Sequence, residues 1–194
     1  MRIVKDPDER KQEIVDAAIR VFARKGYEKT SITDIAKELG ISQGLCYRYF
    51  PSKEAIYEAG MDEYASYIVE ANIQNTKLDG LSIKEQILKM SGKMEEYKSS
   101  EKDESDLYAL FHKAGNHRMH DELFLRTSEK LVPYIATILE KGKARGEIHV
   151  EDTKATAYFF VFGQMAILKS KDYTEEEKTK RIQTCLLELL DLNN

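Results

Sequence analysis

The chain has 194 residues, 42% hydrophobic and 33% charged, with a formal net charge of -4; it is apolar enough for a packed core and too poor in Pro (3) and Gly (10) for a low-complexity linker or a disordered chain. Residues 1–60 hold 11 Lys and Arg against 10 Asp and Glu, and the rest hold 19 against 24, so charge neither requires nor excludes nucleic acid, whose phosphates are met by a local basic face rather than a basic chain. Residues 1–6 show no apolar signal segment, and the longest apolar-rich run, Ala157 to Leu168, has 12 residues and contains Gln164, short of the ~20 a bilayer needs; a soluble, cytoplasmic protein with no membrane partner is expected.

The first helix starts at Asp6, Pro7 and Glu9, where Asp6 can cap, Pro7 suits the first helical position and Glu9 completes a capping box. It buries Ile14, Val15, Ala18, Ile19 and Phe22 on one stripe and ends at Gly26. Ser31 and Asp34 form a second capping box, opening a short helix that Gly40 stops. Ser42 caps a third helix from Gln43 to Phe50, Pro51 ends it, and Ser52 caps a fourth.

This is the pattern of a helix-turn-helix. Ala36 is small where the third helix crosses the second, and Gly40 takes a turn conformation that costs a residue with a β-carbon. Ile35, Leu39, Ile41 and Cys46 are expected to point inward. Gln43, Gly44, Tyr47 and Arg48 then face outward, with Leu45 at their edge.

Further helices are expected over 83–97, 105–114, 122–144, 153–170 and 175–192, separated by the polar breaks 77–80, 99–102 and 145–147. No strand alternation and no repeat is visible. The fold class is all-α, divided into a helix-turn-helix domain over 1–55 and a helical domain over 56–194.

The segment from Gly26-Tyr27 through Thr30-Ser31-Ile32-Thr33-Asp34-Ile35-Ala36 to Gly40-Ile41-Ser42-Gln43-Gly44-Leu45-Cys46-Tyr47-Arg48-Tyr49-Phe50-Pro51-Ser52-Lys53-Glu54 closely resembles the signature of the tetracycline-repressor (TetR/AcrR-like) family. The resemblance is strong over residues 9–58; beyond them it is one of helical character and length. It implies a regulator that places its third helix in the major groove of operator DNA. Gln43 and Gly44 would then lie at the end nearest the base edges. Gln43 can pair bidentately with adenine, and Gly44 lets the backbone approach. Tyr47 aligns with a phosphate or base contact, and Arg48 suits guanine or phosphate equally. Tyr49 and Lys53 align with phosphate contacts, and Ser31 and Ser42 cap the two helix starts, where amides favour phosphate. Leu45, often small or polar in the family, can pack on a thymine methyl or be a half-covered surface residue. Cys46 replaces a larger aliphatic residue and is read as packing, as is Cys185; two Cys make no disulfide framework. Arg2 and Lys5 could reach a neighbouring phosphate, or belong to a frayed terminus.

The last two helices carry Tyr158, Phe159, Phe160, Val161, Phe162, Met165, Ile167 and Leu168, then Ile182, Cys185, Leu186, Leu189 and Leu190. A helix apolar nearly all round does not suit the surface of one subunit. A homodimer through Thr153 to Leu192 is expected, as the resemblance also implies; burial of both helices within one subunit is the alternative.

A pocket for a small effector is expected among Tyr64, Tyr67, Met90, Met94, Tyr97, Tyr108, Phe111, His112, Phe124 and Phe162, whose apolar bodies and few hydroxyls suit a hydrophobic or aromatic molecule; core packing is the rival reading of each. His112, His117 and His120 form a cluster with metal-capable chemistry, but no Cys is near and the charged neighbours suit a solvated helix end, so no metal and no cofactor is expected. No phosphate loop, nucleotide fingerprint, zinc-protease helix or nucleophile motif is present, and the chain is not expected to be an enzyme. The alternative to a DNA-binding regulator is a helical protein-interaction or metal-sensing module without specific DNA binding.

Overall fold

In the computed structural model, residues 6–91 and 117–192 are described. Among them are eight helices and no strand, as the all-α reading requires: α1 Pro7–Lys25, α2 Ile32–Leu39, α3 Gln43–Tyr49, α4 Lys53–Asn75, α5 Ile83–Met90, α6 His117–Ala144, α7 Thr153–Lys169 and α8 Glu175–Leu189. The chain divides into two compact units. The described residues of the first are 6–66 and 117–124, and those of the second are 67–91 and 125–192. The division falls inside α4, beyond the 55/56 boundary drawn from the sequence.

The first unit is assembled from strong local signals. Asp6 caps α1 by accepting the N–H groups of Asp8 and Glu9, and the α1 stripe Ile14, Ala17, Ala18, Val21 and Phe22 is fully buried. At Gly26 the chain turns at φ 84°, and its N–H donates to the Phe22 carbonyl at 2.7 Å. Gly40 takes φ 65°, the left-handed conformation that favours glycine. Ile35 and Cys46 are fully buried between the helices, whereas Leu39 and Ile41, also expected inside, are half-buried. Three ion pairs join α1 to α2: Lys25 to Asp34 at 2.6 Å, Arg24 to Glu38 at 2.6 Å and Arg20 to Glu38 at 3.8 Å. Behind them Phe22, Tyr27 and Tyr57 pack as an aromatic cluster with centroids 4.9–6.2 Å apart. A β-carbon on Gly60 of α4 would come within 3.2 Å of Ile19, so this glycine allows α4 to approach α1 closely.

The second unit has its own core, in which Ile83 and Ile87 of α5 meet Ile135 and Leu139 of α6, Phe160 and Val161 of α7 and Ile182 and Leu186 of α8. Capping boxes at Ser82–Glu85 and Thr174–Glu177 start α5 and α8, and Asp152 caps α7. The Ile83 N–H donates to Glu147 at 2.6 Å, fixing the start of α5 to the turn after α6.

Three C-terminal ends fall one to three residues short of expectation, at Tyr49, Lys169 and Leu189, and two ends differ by five residues or more. α5 stops at Met90 rather than Tyr97, because Ser91 leaves the helical conformation (φ -83°, ψ 140°) while its hydroxyl donates to the Leu88 carbonyl, a local bond that competes with helix continuation. α6 begins at His117, ahead of Glu122. The helix expected over 105–114 lies outside the described residues.

Candidate nucleic-acid interface

The proposed reading surface is built on α2 and α3. The Ser31 hydroxyl accepts the Asp34 N–H at 3.2 Å, and Asp34 Oδ2 in return accepts the Ser31 N–H at 3.0 Å and O–H at 2.7 Å. A hydrogen bond from the Lys25 ammonium, then those from Ser31, hold the Asp34 carboxyl well below the usual carboxylate range, against the opposing push of burial. A hydrogen bond from Arg24 likewise lowers the Glu38 carboxyl pKa. The box is complete at Ser31, so both of its donors already serve Asp34, and a phosphate there would meet the amides of the first turn of α2.

α3 is seven residues long and two-faced. The Ser42 hydroxyl accepts the Leu45 N–H at 3.2 Å. Cys46 is buried, which pushes its thiol pKa up, consistent with packing. Phe50 caps the C-terminal end and is 4% exposed. The opposite face presents Gln43, Gly44, Tyr47 and Arg48 to solvent, with Leu45 and Tyr49 half-buried. Arg48 makes no ion pair among the described residues.

Gly44 is informative because nothing lies within 4 Å of the place its β-carbon would occupy, and its φ is ordinary. Neither internal packing nor backbone strain calls for glycine there. The bare backbone at Gly44 stands open on the outward face of α3.

Ser52 caps α4 by accepting the Ala55 N–H at 3.1 Å. The Lys53 ammonium donates to the Tyr27 carbonyl at 2.8 Å and stands 4.2 Å from the Tyr27 ring centroid. Burial, then Glu54, Glu28, Glu58 and Glu122, raise the Tyr27 pKa, so that ring stays neutral beneath the lysine. One contact was not legible in the sequence: the Lys11 ammonium of α1 lies 5.7 Å over the Phe50 ring. No local motif signals it, because it depends on how α1 crosses the end of α3.

The effector candidates are distributed between the units. Tyr64 and Phe124 belong to the first, Tyr64 buried and Phe124 half-buried. Tyr67, Met90 and Phe162 belong to the second. Tyr67 is exposed and Met90 packs against the core. Phe162 is half-buried, packs against the same core and stacks on exposed Tyr158 at 6.1 Å and 15°. Met94, Tyr97, Tyr108, Phe111 and His112 lie outside the described residues, as do Arg2, Lys5 and the side chains of His117 and His120. Among the described residues no group of three His, Cys, Asp or Glu could hold a metal, and no helix is long and apolar enough to cross a membrane.

α7 buries Ala157, Phe160 and Val161 in the core and leaves further apolar side chains outward. Phe159 is 72% exposed and Tyr158, Ala155, Gly163 and Ala166 are exposed beside it, while Gln164 is buried. Cys185 and Leu189 of α8 are exposed as well.

The profile of the family described as "Bacterial regulatory proteins, tetR family" matches residues 14–59. The uncharacterized HTH-type transcriptional regulator YuxN of Bacillus subtilis (strain 168) is 46% identical over 56 residues, 29% of this chain and 19% of its own length. The match to YuxN therefore spans under a fifth of that relative. The uncharacterized HTH-type transcriptional regulator YfiR of the same organism is 29% identical over 182 residues, 88% of this chain and 84% of its own. A solved protein of Mesorhizobium loti MAFF303099, assigned to the same family, shares the fold with a TM-score of 0.63 at 20% identity, over 97% of this chain and 98% of that one.

Proposed function

The chain belongs, through residues 14–59, to the tetR family of bacterial regulatory proteins, and from that premise we propose that it is a ligand-responsive transcriptional repressor. It binds a palindromic operator as a homodimer and is released by a small hydrophobic or aromatic effector. The observation that carries the reading is α3: a rigid helix with a buried back, Cys46 and Phe50, and an outward face of Gln43, Gly44, Tyr47 and Arg48. Gln43 and Arg48 read base edges, while Tyr47, Tyr49, Lys53 and the start of α2 position the helix on phosphates. Leu45, at the edge of that face, packs on a thymine methyl.

Pairing through α7 and α8 is supported by the outward apolar side chains Tyr158, Phe159 and Leu189. Two copies then reach half-sites ~34–36 Å apart or a multiple of that distance. Repression needs only occupancy of the operator, so it asks for no surface beyond these two. In functional terms residues 1–55 read DNA, and 56–194 pair and sense.

The aromatic and methionine side chains Tyr64, Tyr67, Met90, Phe124 and Phe162, with Met94, Tyr97, Tyr108, Phe111 and His112, support an apolar or aromatic effector. The helices α4 and α6 each contribute residues to both units, which supports coupling of effector to operator as a shift between two dimer states. To move such a pair from 1:99 to 99:1 the effector must prefer the released state by about 10⁴-fold.

Titration with duplex DNA at several salt concentrations tests the DNA-binding reading. Affinity that falls steeply and log-linearly with salt is expected, because each phosphate contact releases counterions. Binding that is absent, or indifferent to salt, contradicts it.

A further inference from the structure

We propose that Lys11, on α1 and outside the helix-turn-helix, is a phosphate-binding residue of the operator interface. The inference deepens the DNA-binding reading and rests on it. Its basis is the contact between α1 and the far end of α3. Phe50 is the C-terminal cap of α3, and the Lys11 ammonium stands 5.7 Å over its ring. Lys11 is exposed, so this contact holds the charge beside the end of α3 without burying it.

A seven-residue helix is ~10 Å long, and the major groove is ~12 Å wide. With Gln43 and Gly44 at the bases, the C-terminal end of α3 arrives at a wall of phosphates. That end carries the partial negative charge of unsatisfied carbonyls, and a phosphate approaches it only where a cation offsets them. Arg48 supplies one such charge from within α3, and Lys11 supplies the second from α1.

Four other cations of the unit are paired with carboxylates. Arg10 pairs with Glu13, Arg20 and Arg24 with Glu38, and Lys25 with Asp34. Lys53 gives one donor to the Tyr27 carbonyl and keeps the others for phosphate. Lys11 makes no ion pair among the described residues, even though the carboxylate of Asp8 stands one helical turn before it. Its charge remains available to an anion from outside.

The test compares the parent, Lys11→Gln, Lys11→Arg and Lys141→Gln, the last a charge-matched control in the second unit, on an operator duplex and a shuffled duplex across a salt series. Lys11→Gln should bind both duplexes ~3–10-fold more weakly and lower the salt slope by about 1 per bound subunit. Lys11→Arg should restore the slope, and Lys141→Gln should match the parent. A Lys11→Gln slope equal to that of a DNA-binding parent overturns this assignment alone, even if affinity falls, because a purely structural Lys11 changes affinity without changing the number of ions released. A slope equally reduced in Lys141→Gln overturns it too, by making the effect one of net charge. A parent with no salt-dependent binding overturns the DNA-binding reading and this assignment with it.

Discussion

Lys53 is bound twice to Tyr27: its ammonium donates to the Tyr27 carbonyl at 2.8 Å and lies 4.2 Å from the centroid of the same residue's ring. The first turn of α4 is thereby tied to the loop that precedes α2. Tyr57, one turn further along α4, packs on the other edge of Tyr27 at 4.9 Å. One lysine and two tyrosines thus join α4 to the loop between α1 and α2.

Lys53→Ala should therefore show two effects. One ammonium proton is used by Tyr27 and the others can meet phosphate. The substitution should weaken all duplexes alike and reduce the salt slope by about 1 per subunit. It should also cost about 1 kcal/mol of stability through the lost hydrogen bond. Urea denaturation and salt-series titration read the two separately.

Gly44→Ala should make the protein more stable and a worse DNA binder. The added β-carbon meets nothing within 4 Å, and alanine favours the helix over glycine, by less than the ~1 kcal/mol of a helix interior because Gly44 is the second residue of α3. The same methyl stands on the outward face, where the proposed groove floor would be. Thermal melting and operator titration check the opposite signs, and unchanged affinity counts against close approach at this residue.

Asp34 gives a pH dependence with a definite sign. Its folded pKa lies below the unfolded value, so its contribution is fully present above about pH 4 and is lost only as pH falls through the lower folded value. Asp34→Asn should melt at a lower temperature than the parent at pH 7 and still do so at pH 4, with the gap closing only in stronger acid. A gap that closed between pH 7 and pH 5 would place the stabilisation on some other group.

Phe159→Glu should leave the subunit folded, since the side chain is 72% exposed, and convert a dimer into a monomer. Sedimentation of the parent and variant measures this. A variant that remains dimeric removes α7 from the pairing surface.

The local structure was legible in the sequence because its causes are local. Ser31 and Asp34, Ser42, Ser52, Gly26 and Gly40 each act within a few residues, and the structure uses them as caps and turns in those places. The apolar surplus of α7 was legible as a surplus; which side chains it leaves outward needed the packing of α7 on its neighbours. Contacts between distant residues were not legible. Lys25 reaches Asp34, Lys53 reaches Tyr27 and Lys11 reaches Phe50 only after α1, α2 and α4 have packed. The same packing leaves Leu39 and Ile41 half-buried although their periodicity pointed inward. Both donors of Ser31 are taken by Asp34, a completion of the capping box that shifts the phosphate-facing role toward the neighbouring amides.

Selection of binding sites from randomised duplex DNA, at fixed near-physiological salt, tests the central claim most directly. The account predicts a palindromic consensus whose half-site centres lie ~34–36 Å apart or a multiple of it, and loss of preference at particular base pairs in Gln43→Ala or Arg48→Ala, by about 1–3 kcal/mol each. No enrichment by a folded, dimeric, effector-free protein would contradict it.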